Sequence, residues 1–171
     1  CTNGYTEKVT PEFRRRILPM RSAMIATETI DQELMQCLMP KGRVCSDSRR
    51  VVAYYRPSPD GTRILFGSRA SGLKDRPQVN AKLLKQFMTT IFPQLSSTSI
   101  THVWSGLVAY TFDHAPHIGQ FGVGEDDGLY YAMGYCGSGV ARSSYFGNKL
   151  ALKMLGEAEK NTAFDDLTFE T

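Results

Sequence analysis

Three glycines between an apolar run and an amphipathic run constrain this chain more than any other feature. The run Leu129–Met133 is apolar and aromatic, which is typical of a buried strand, and Gly134, Gly137 and Gly139 follow it. Apolar residues then recur at three- and four-residue steps over Val140–Leu155, which predicts a helix. Such a turn lets backbone N–H groups approach an electron-rich ligand closely. It would equally suit an ordinary strand-to-helix turn, and no G-x-G-x-x-G or P-loop pattern occurs in the chain to decide between them.

Composition indicates a compact globular protein. The chain has 171 residues, of which 42% are hydrophobic and 22% charged, enough to bury a core. A net charge of +3 is too small to indicate a nucleic-acid partner. The sequence has no apolar run long enough for a membrane span and no recognisable signal peptide. The four cysteines lack metal-binding spacing, which predicts the reduced thiols of a cytoplasmic protein and no metal site.

Periodicity and turn signals predict an α+β fold. Asp60-Gly61 is a hairpin signal between two strands, and Asp31 is a helix N-cap. The predicted strands are Ile17–Ile30, Val51–Arg56, Arg63–Gly67, Ser99–Tyr110, His117–Gly119 and Leu129–Met133, and the predicted helices are Asp31–Leu38, Val79–Phe92 and Val140–Leu155. We expect an antiparallel sheet with flanking helices, plus one strand–glycine turn–helix element.

Four blocks of sequence carry a family resemblance. They are Cys1–Thr6, the hairpin Tyr54–Arg69, the W-S-G…T-x-D-x-x-P-x-I-G segment Trp104–Gly119, and G-Y-C-G-S-G-V over Gly134–Val140. In this order they resemble the FAD-dependent amine and amino-acid oxidoreductases of the D-amino-acid oxidase (DAO) and sarcosine oxidase type. The γ-glutamylputrescine-oxidase-like members are the most similar in our reading.

The resemblance implies domains and site residues. Residues 1–15 would end the FAD-binding part, 16–115 would form an antiparallel substrate-binding domain, and 116–171 would return to the FAD-binding domain. The expected FAD contacts are Thr2, Asn3, Gly4, Gly134, Tyr135, Cys136, Gly137, Ser138, Gly139 and Val140. The resemblance places the glycine turn among them beside the pyrimidine side of the flavin ring. The expected catalytic residues are Tyr55, Arg69 and His114. The residues alone leave open that Tyr55 packs across strands and that Arg69 is a solvated charge.

Departures from the family pattern bear on the substrate. In the sarcosine-oxidase branch a lysine after the glycine turn grips the substrate carboxylate, and Ala141 stands in that place here. Arg142 is adjacent but would project from a different face of the helix. We therefore expect a small-molecule amine or amino-acid amide as substrate. The cysteine that binds FAD covalently in some members would fall near Gly106, so that thioether is not expected.

The chain is also shorter than the family it resembles. Members are about twice as long and begin with a G-x-G-x-x-G strand, so we interpret the chain as a C-terminal half. The apolar faces of Leu129–Met133 and Val140–Leu155 would then lack a partner, and we expect self-association there. The alternative from another class is a non-catalytic α+β module that binds a ligand or a protein.

Overall fold

The computed structural model describes residues 2–6, 11–70, 74–121, 128–165 and 167–169, so Cys1 lies outside the described residues. The helices are α1 (Pro11–Arg14), α2 (Gln32–Leu38), α3 (Pro77–Ile91) and α4 (Gly139–Leu155). The strands are β1 (Leu18–Thr27), β2 (Cys45–Ser46), β3 (Tyr54–Pro57), β4 (Ile64–Arg69), β5 (Ile100–Tyr110), β6 (His117–Phe121) and β7 (Leu129–Met133). The α+β class predicted from the sequence is confirmed.

The predicted elements are present with small shifts at their ends. Helix α2 has Asp31 as its N-cap, and the Asp31 carboxylate accepts the N–H of Glu33 at 2.8 Å. Helix α3 begins at Pro77, two residues before the predicted start, because proline suits the first turn of a helix. The short α1 and β2 were not predicted, because four and two residues carry no readable periodicity.

The chain divides into two compact units. One, here called the sheet unit, is Arg21–Gly106, and the other, the turn unit, joins Cys1–Met20 to Leu107–Thr171. The domain boundaries that the family resemblance implies, 15/16 and 115/116, stay a prediction, and the boundaries of the two compact units lie at other residues. The difference arises because β1 and β5 continue past the sheet unit, and the last residues of β5 contact the glycine turn.

The sheet unit is built on a five-stranded sheet in the order β2-β3-β4-β1-β5. Strands β2, β3, β4 and β1 pair antiparallel with their neighbours. Side chains of β1 and β4 on one face pack with those of α2 and α3 to form the core, which includes Ile25, Phe66, Met35, Leu84 and Met88. These side chains are at most 7% exposed. The face of the sheet that is covered by α2 and α3 is called the packing face below. Successive side chains of a strand point to opposite faces, so every second residue lies on the other, outer face.

The turn unit contains the antiparallel hairpin of β6 and β7, with Ile118 opposite Ala132. Phe146 of α4 is 2% exposed, and its ring stacks on Tyr135 at 5.7 Å between centroids. Phe13 of α1 packs on Tyr131 of β7 at 4.7 Å. Aromatic contacts thus join the last helix to the turn before it, and α1 to the hairpin. In the part of the chain that the structure describes, no helix is both long and apolar enough to cross a membrane.

Candidate functional site

The turn between β7 and α4 adopts a backbone that glycine permits. Gly134 and Gly137 have φ of +78° and +94°. Gly134 is buried, and a Cβ atom there would lie 2.5 Å from Thr111 Cγ2 and 2.9 Å from the Ala115 carbonyl oxygen. Both distances are too short for real contacts, so packing as well as φ requires glycine at this position.

The start of α4 is open to a ligand. Ser138 is the N-cap, and its side chain makes no capping hydrogen bond within the described residues. As in any helix, the first backbone N–H groups of α4 have no carbonyl acceptor within the helix. Gly137 and Ser138 are exposed, and Val140 is 94% exposed. A Cβ at Gly139 would lie 3.6 Å from the Tyr135 ring, an ordinary contact, so the protein's own packing does not require this glycine. Exposed donors and an exposed apolar side chain together suit a partly aromatic, electron-rich group such as a flavin ring.

Residues at the end of strand β5 contact this turn and hold it in place. The backbone N–H of Cys136 donates to the Ala109 carbonyl at 3.2 Å. The Cys136 thiol lies 3.7 Å from the Thr111 hydroxyl. The Tyr110 hydroxyl lies 3.5 Å from where a Cβ of Gly137 would be. Each residue from Ala109 to Thr111 therefore touches a different part of the turn.

The loop after β5 is held by a carboxylate–imidazole pair. Asp113 accepts the Ala115 N–H at 3.0 Å and lies 2.9 Å from Nε2 of His117. His117 is 1% exposed, and its ring stacks on Phe169 at 4.1 Å. Burial alone would raise the pKa of Asp113, but the hydrogen bonds from Ala115, Thr111 and His117 outweigh it and lower that pKa. Asp113 is therefore a structural anion that fixes the loop beside Gly134.

His114 lies at the exposed tip of this loop. Its φ is +58°, and its ring meets Tyr110 edge-on at 5.6 Å between centroids. Non-glycine residues pay about 1–2 kcal/mol for the left-handed region, and such residues concentrate at functional sites. Only Asn3 and Cys136 share this feature with His114 among the described residues. All three contact the short segment Leu107–Thr111.

The predicted catalytic residues Tyr55 and Arg69 belong to the sheet unit. Tyr55 lies on the packing face, where its ring stacks on Phe66 at 5.9 Å and meets Phe92 edge-on at 5.1 Å. Arg69 is exposed at the end of β4, opposite Ser22 of β1. Alternation places Arg69 on the face away from the core, because Phe66 is on the packing face three residues earlier.

Tyr54, the neighbour of Tyr55, lies on that same outer face. It pairs with Gly67 across the strands, and a Cβ at Gly67 would collide with the Tyr54 ring. The Tyr54 hydroxyl is hydrogen-bonded to the Ser22 hydroxyl. The sequence analysis did not single out Tyr54. The Asp60-Gly61 hairpin could have revealed it, since its register puts Tyr55 beside Phe66 and Tyr54 beside a glycine.

The residues after the turn fit a site without a carboxylate-gripping lysine. Ala141 is exposed, and the Arg142 guanidinium donates to the Tyr135 carbonyl at 3.2 Å. One N–H of the Arg142 guanidinium thus braces the turn. Within the described residues, no group of three or more His, Cys, Asp or Glu side chains could hold a metal ion.

The structure therefore gathers part of the predicted site. The segment Thr2–Gly4, the turn Gly134–Val140 and His114 all lie in the turn unit, around the end of β5. Tyr55 and Arg69 lie in the sheet unit on opposite faces of one sheet. Tyr110 and Thr111, which touch the turn, were not predicted as site residues: Tyr110 was seen only as the end of a strand, and Thr111 only as the first residue of the T-x-D-x-x-P motif.

Comparison with known proteins bears on what this turn binds. Residues 1–152 match the DAO family, described as FAD dependent oxidoreductase. The chain is 33% identical to the probable oxidoreductase OrdL of Haemophilus influenzae, over 98% of this chain and 38% of that protein. It is 31% identical to the γ-glutamylputrescine oxidoreductase of Escherichia coli, over 96% of this chain and 38% of that protein.

A solved structure gives the same fold. The crystal structure of glycine oxidase from Geobacillus kaustophilus superposes with a TM-score of 0.64 at 19% identity, over 88% of this chain and 37% of that one. The chain thus spans 38% of the length of the two relatives named above. The resemblance read from the four sequence blocks is confirmed, including the γ-glutamylputrescine-oxidase-like members. The chain belongs to the DAO family of FAD-dependent oxidoreductases.

Proposed function

We propose that the protein carrying this chain oxidises a C–N bond of an amine or amino-acid derivative, with FAD as the acceptor of the substrate's hydride. The observation that carries the proposal is the start of α4, where the exposed Gly137 and Ser138 precede a first helical turn whose N–H groups have no acceptor within the helix. FAD supplies the redox chemistry, and the chain supplies orientation and electrostatics.

The helix start has two tasks in this proposal. Its N-terminus carries about half a positive charge, which stabilises negative charge on a bound ring by about 0.3–2 kcal/mol. The absence of side chains at Gly137 and Gly139 lets the backbone donors reach that ring. Cys136 and Tyr135 hold the turn through the Ala109 carbonyl and the Arg142 guanidinium. Burial raises the pKa of Tyr135, which keeps its phenol neutral in this environment.

The outer face of the sheet is the substrate-facing surface in our proposal. Tyr54 presents a hydroxyl already oriented by Ser22, and Arg69 stands opposite that serine. Tyr55 supports this surface from the packing face through Phe66. His114 is the proposed proton-handling residue, because its imidazole is exposed and next to the Tyr110 ring.

The proposed substrate class depends on Ala141 and Arg142, two residues in the first turn of α4. Ala141 supplies no cation where the sarcosine-oxidase branch has its lysine, and the neighbouring Arg142 guanidinium donates to the Tyr135 carbonyl within the turn. We therefore infer an amine without a carboxylate on the carbon that is oxidised. The E. coli relative, named as a γ-glutamylputrescine oxidoreductase, supports this class. A cytoplasmic location and self-association stay predictions.

The test uses protein made from the complete reading frame that contains this sequence. Purified protein is mixed without oxygen with a diamine derivative such as γ-glutamylputrescine, and in parallel with sarcosine. We expect yellow protein whose flavin absorbance is bleached by the diamine derivative at least tenfold faster than by sarcosine. Equal or faster bleaching by sarcosine would contradict the substrate class. Colourless protein that takes up no added FAD would contradict the enzyme and favour the non-catalytic binding module.

A further inference from the structure

The segment Thr2–Thr6 makes an unusual contact with the end of strand β5. The Asn3 side-chain amide donates to the Leu107 carbonyl at 2.8 Å, and the Leu107 N–H donates to the Tyr5 hydroxyl at 3.0 Å. Both backbone polar groups of Leu107 are therefore paired by side chains, in the manner of a neighbouring strand.

The backbone conformation of Thr2–Thr6 allows this contact with Leu107. Asn3 has a φ of +47°, and the Tyr5 N–H closes a turn on the Thr2 carbonyl at 2.9 Å. Gly4 is buried, and a Cβ there would lie 2.9 Å from Leu107 Cβ. Because Gly4 has no side chain, its backbone lies against Leu107, and the side chains of Asn3 and Tyr5 reach the Leu107 carbonyl and N–H.

The same strand carries the glycine turn two residues further on. Ala109 accepts the Cys136 N–H, and Thr111 contacts both the Cys136 thiol and the Gly134 position. Two residues along a strand span about 7 Å, so both attachments act on one short, extended piece of backbone. A shift of Leu107 along or across the strand would therefore move the acceptor on which the turn rests.

We propose that Asn3 and Tyr5 are positioning residues for the cofactor turn, acting through Leu107 and the Ala109 carbonyl. This rests on the proposed function, in which the turn holds the flavin ring. The role differs from the FAD contact that the family resemblance implies for Asn3, because its amide is already donated to Leu107. Tyr5 belongs to the block that carries the resemblance but was not among the expected site residues, and its 52% exposed ring is not explained by core packing.

Two substitutions remove the contacts with little other change. Tyr5→Phe deletes the hydroxyl that accepts the Leu107 N–H and keeps the ring. Asn3→Gly deletes the amide and keeps a residue that adopts positive φ without strain. Tyr145→Phe is the matched control, because it too removes a hydroxyl from a half-exposed tyrosine (49%) of the same unit, here on α4.

Amide hydrogen exchange of the full protein, stripped of any bound FAD, measures the coupling. Both variants should speed exchange at Leu107 and also at Cys136, by about fivefold to tenfold as expected for one lost hydrogen bond. The amides of the β6–β7 ladder should keep their parent rates, as should all amides in Tyr145→Phe. Unchanged exchange at Cys136, or an equal rise throughout the ladder, would overturn the positioning role.

FAD titration of the same proteins, followed by flavin fluorescence, is the second readout. We expect both variants to bind FAD more weakly than the parent and than Tyr145→Phe. Parent-like FAD affinity in variants whose Cys136 amide has loosened would overturn the link from turn to cofactor. A parent that binds no FAD would instead defeat the proposed function, and the exchange experiment distinguishes that case because it contains no cofactor.

Discussion

The backbone N–H of Cys136 donates to the carbonyl of Ala109 at 3.2 Å, and this bond fastens the turn between β7 and α4 to strand β5. Cys136 has a φ of +50°, a conformation that costs a cysteine about 1–2 kcal/mol. The cost is offset by the contacts the turn makes with Ala109, Tyr110 and Thr111. The site is thus pre-formed by the protein and open on its other side.

Gly134→Ala should destabilise the protein more than any other glycine-to-alanine change in this turn. The new Cβ would meet Thr111 Cγ2 at 2.5 Å and would sit at a φ of +78°. Overpacking costs about 1–3 kcal/mol, and the left-handed backbone adds about 1–2 kcal/mol.

The control is Gly156→Ala, at a φ of +73° with no atom within 4 Å of the new Cβ, which should show the backbone cost alone. Urea unfolding measures both. Equal losses in the two variants would show that the Thr111 contact has no effect.

Fold and site differ in how far the sequence could predict them. The long helices and strands could be predicted from apolar patterns, such as the continuous run Leu129–Met133 and the three- and four-residue repeat of Val140–Leu155. Tyr54 and Tyr55 could not be separated by type, since both are aromatic residues in a strand. Their faces follow only from the hairpin register, which pairs Tyr55 with Phe66 and Tyr54 with Gly67 around Asp60-Gly61, and the sequence analysis predicted the hairpin without its register. The Asn3–Leu107 bond, across 104 positions, had no sequence signal.

Asp113 should make stability depend on pH in the acid range. Its pKa is lower in the folded chain than the unfolded value of about 3.9, so the unfolded state binds more protons as pH falls. The contribution of Asp113 is therefore complete above pH ~4 and is lost as pH falls through the lower, folded pKa.

Asp113→Asn should remove this part of the pH dependence. Urea unfolding of parent and variant between neutral and acid pH measures it, and the difference in unfolding free energy should shrink towards low pH. A difference that stays constant with pH would show that the carboxylate charge is not what fixes the loop.

Tyr54 and Tyr55 should respond differently to removal of the hydroxyl. Tyr54→Phe loses the bond to Ser22 and, in our proposal, a substrate contact, so kcat/KM for the amine should fall at least tenfold while unfolding changes by only about 1 kcal/mol. Tyr55→Phe keeps the ring against Phe66 and Phe92 and should leave kcat/KM within about twofold. The reverse order would place the substrate on the packing side of the sheet.

Ala141→Lys tests the proposed substrate class. The lysine would stand where the sarcosine-oxidase branch holds a carboxylate, at an exposed position in the first turn of α4. We expect the ratio of kcat/KM for an N-methyl amino acid to that for its amide to rise about tenfold, as a charge-assisted hydrogen bond allows. The measurement compares this ratio in parent and variant. An unchanged ratio would mean that residue 141 does not face the substrate.

Gly139→Val gives the most direct test that the turn holds the flavin ring. A Cβ at Gly139 meets the protein only at ordinary distances, so any loss of FAD affinity reports a ligand that must approach the backbone there. Gly147→Val is the control, since this glycine lies in the same helix with nothing within 4 Å of its Cβ. The measurement is the Kd for FAD in protein from the complete reading frame, beside the unfolding free energy of each variant. We predict a Kd at least tenfold higher for Gly139→Val, with parent-like stability, and an unchanged Kd for Gly147→Val. Parent-like FAD affinity in Gly139→Val would contradict the account.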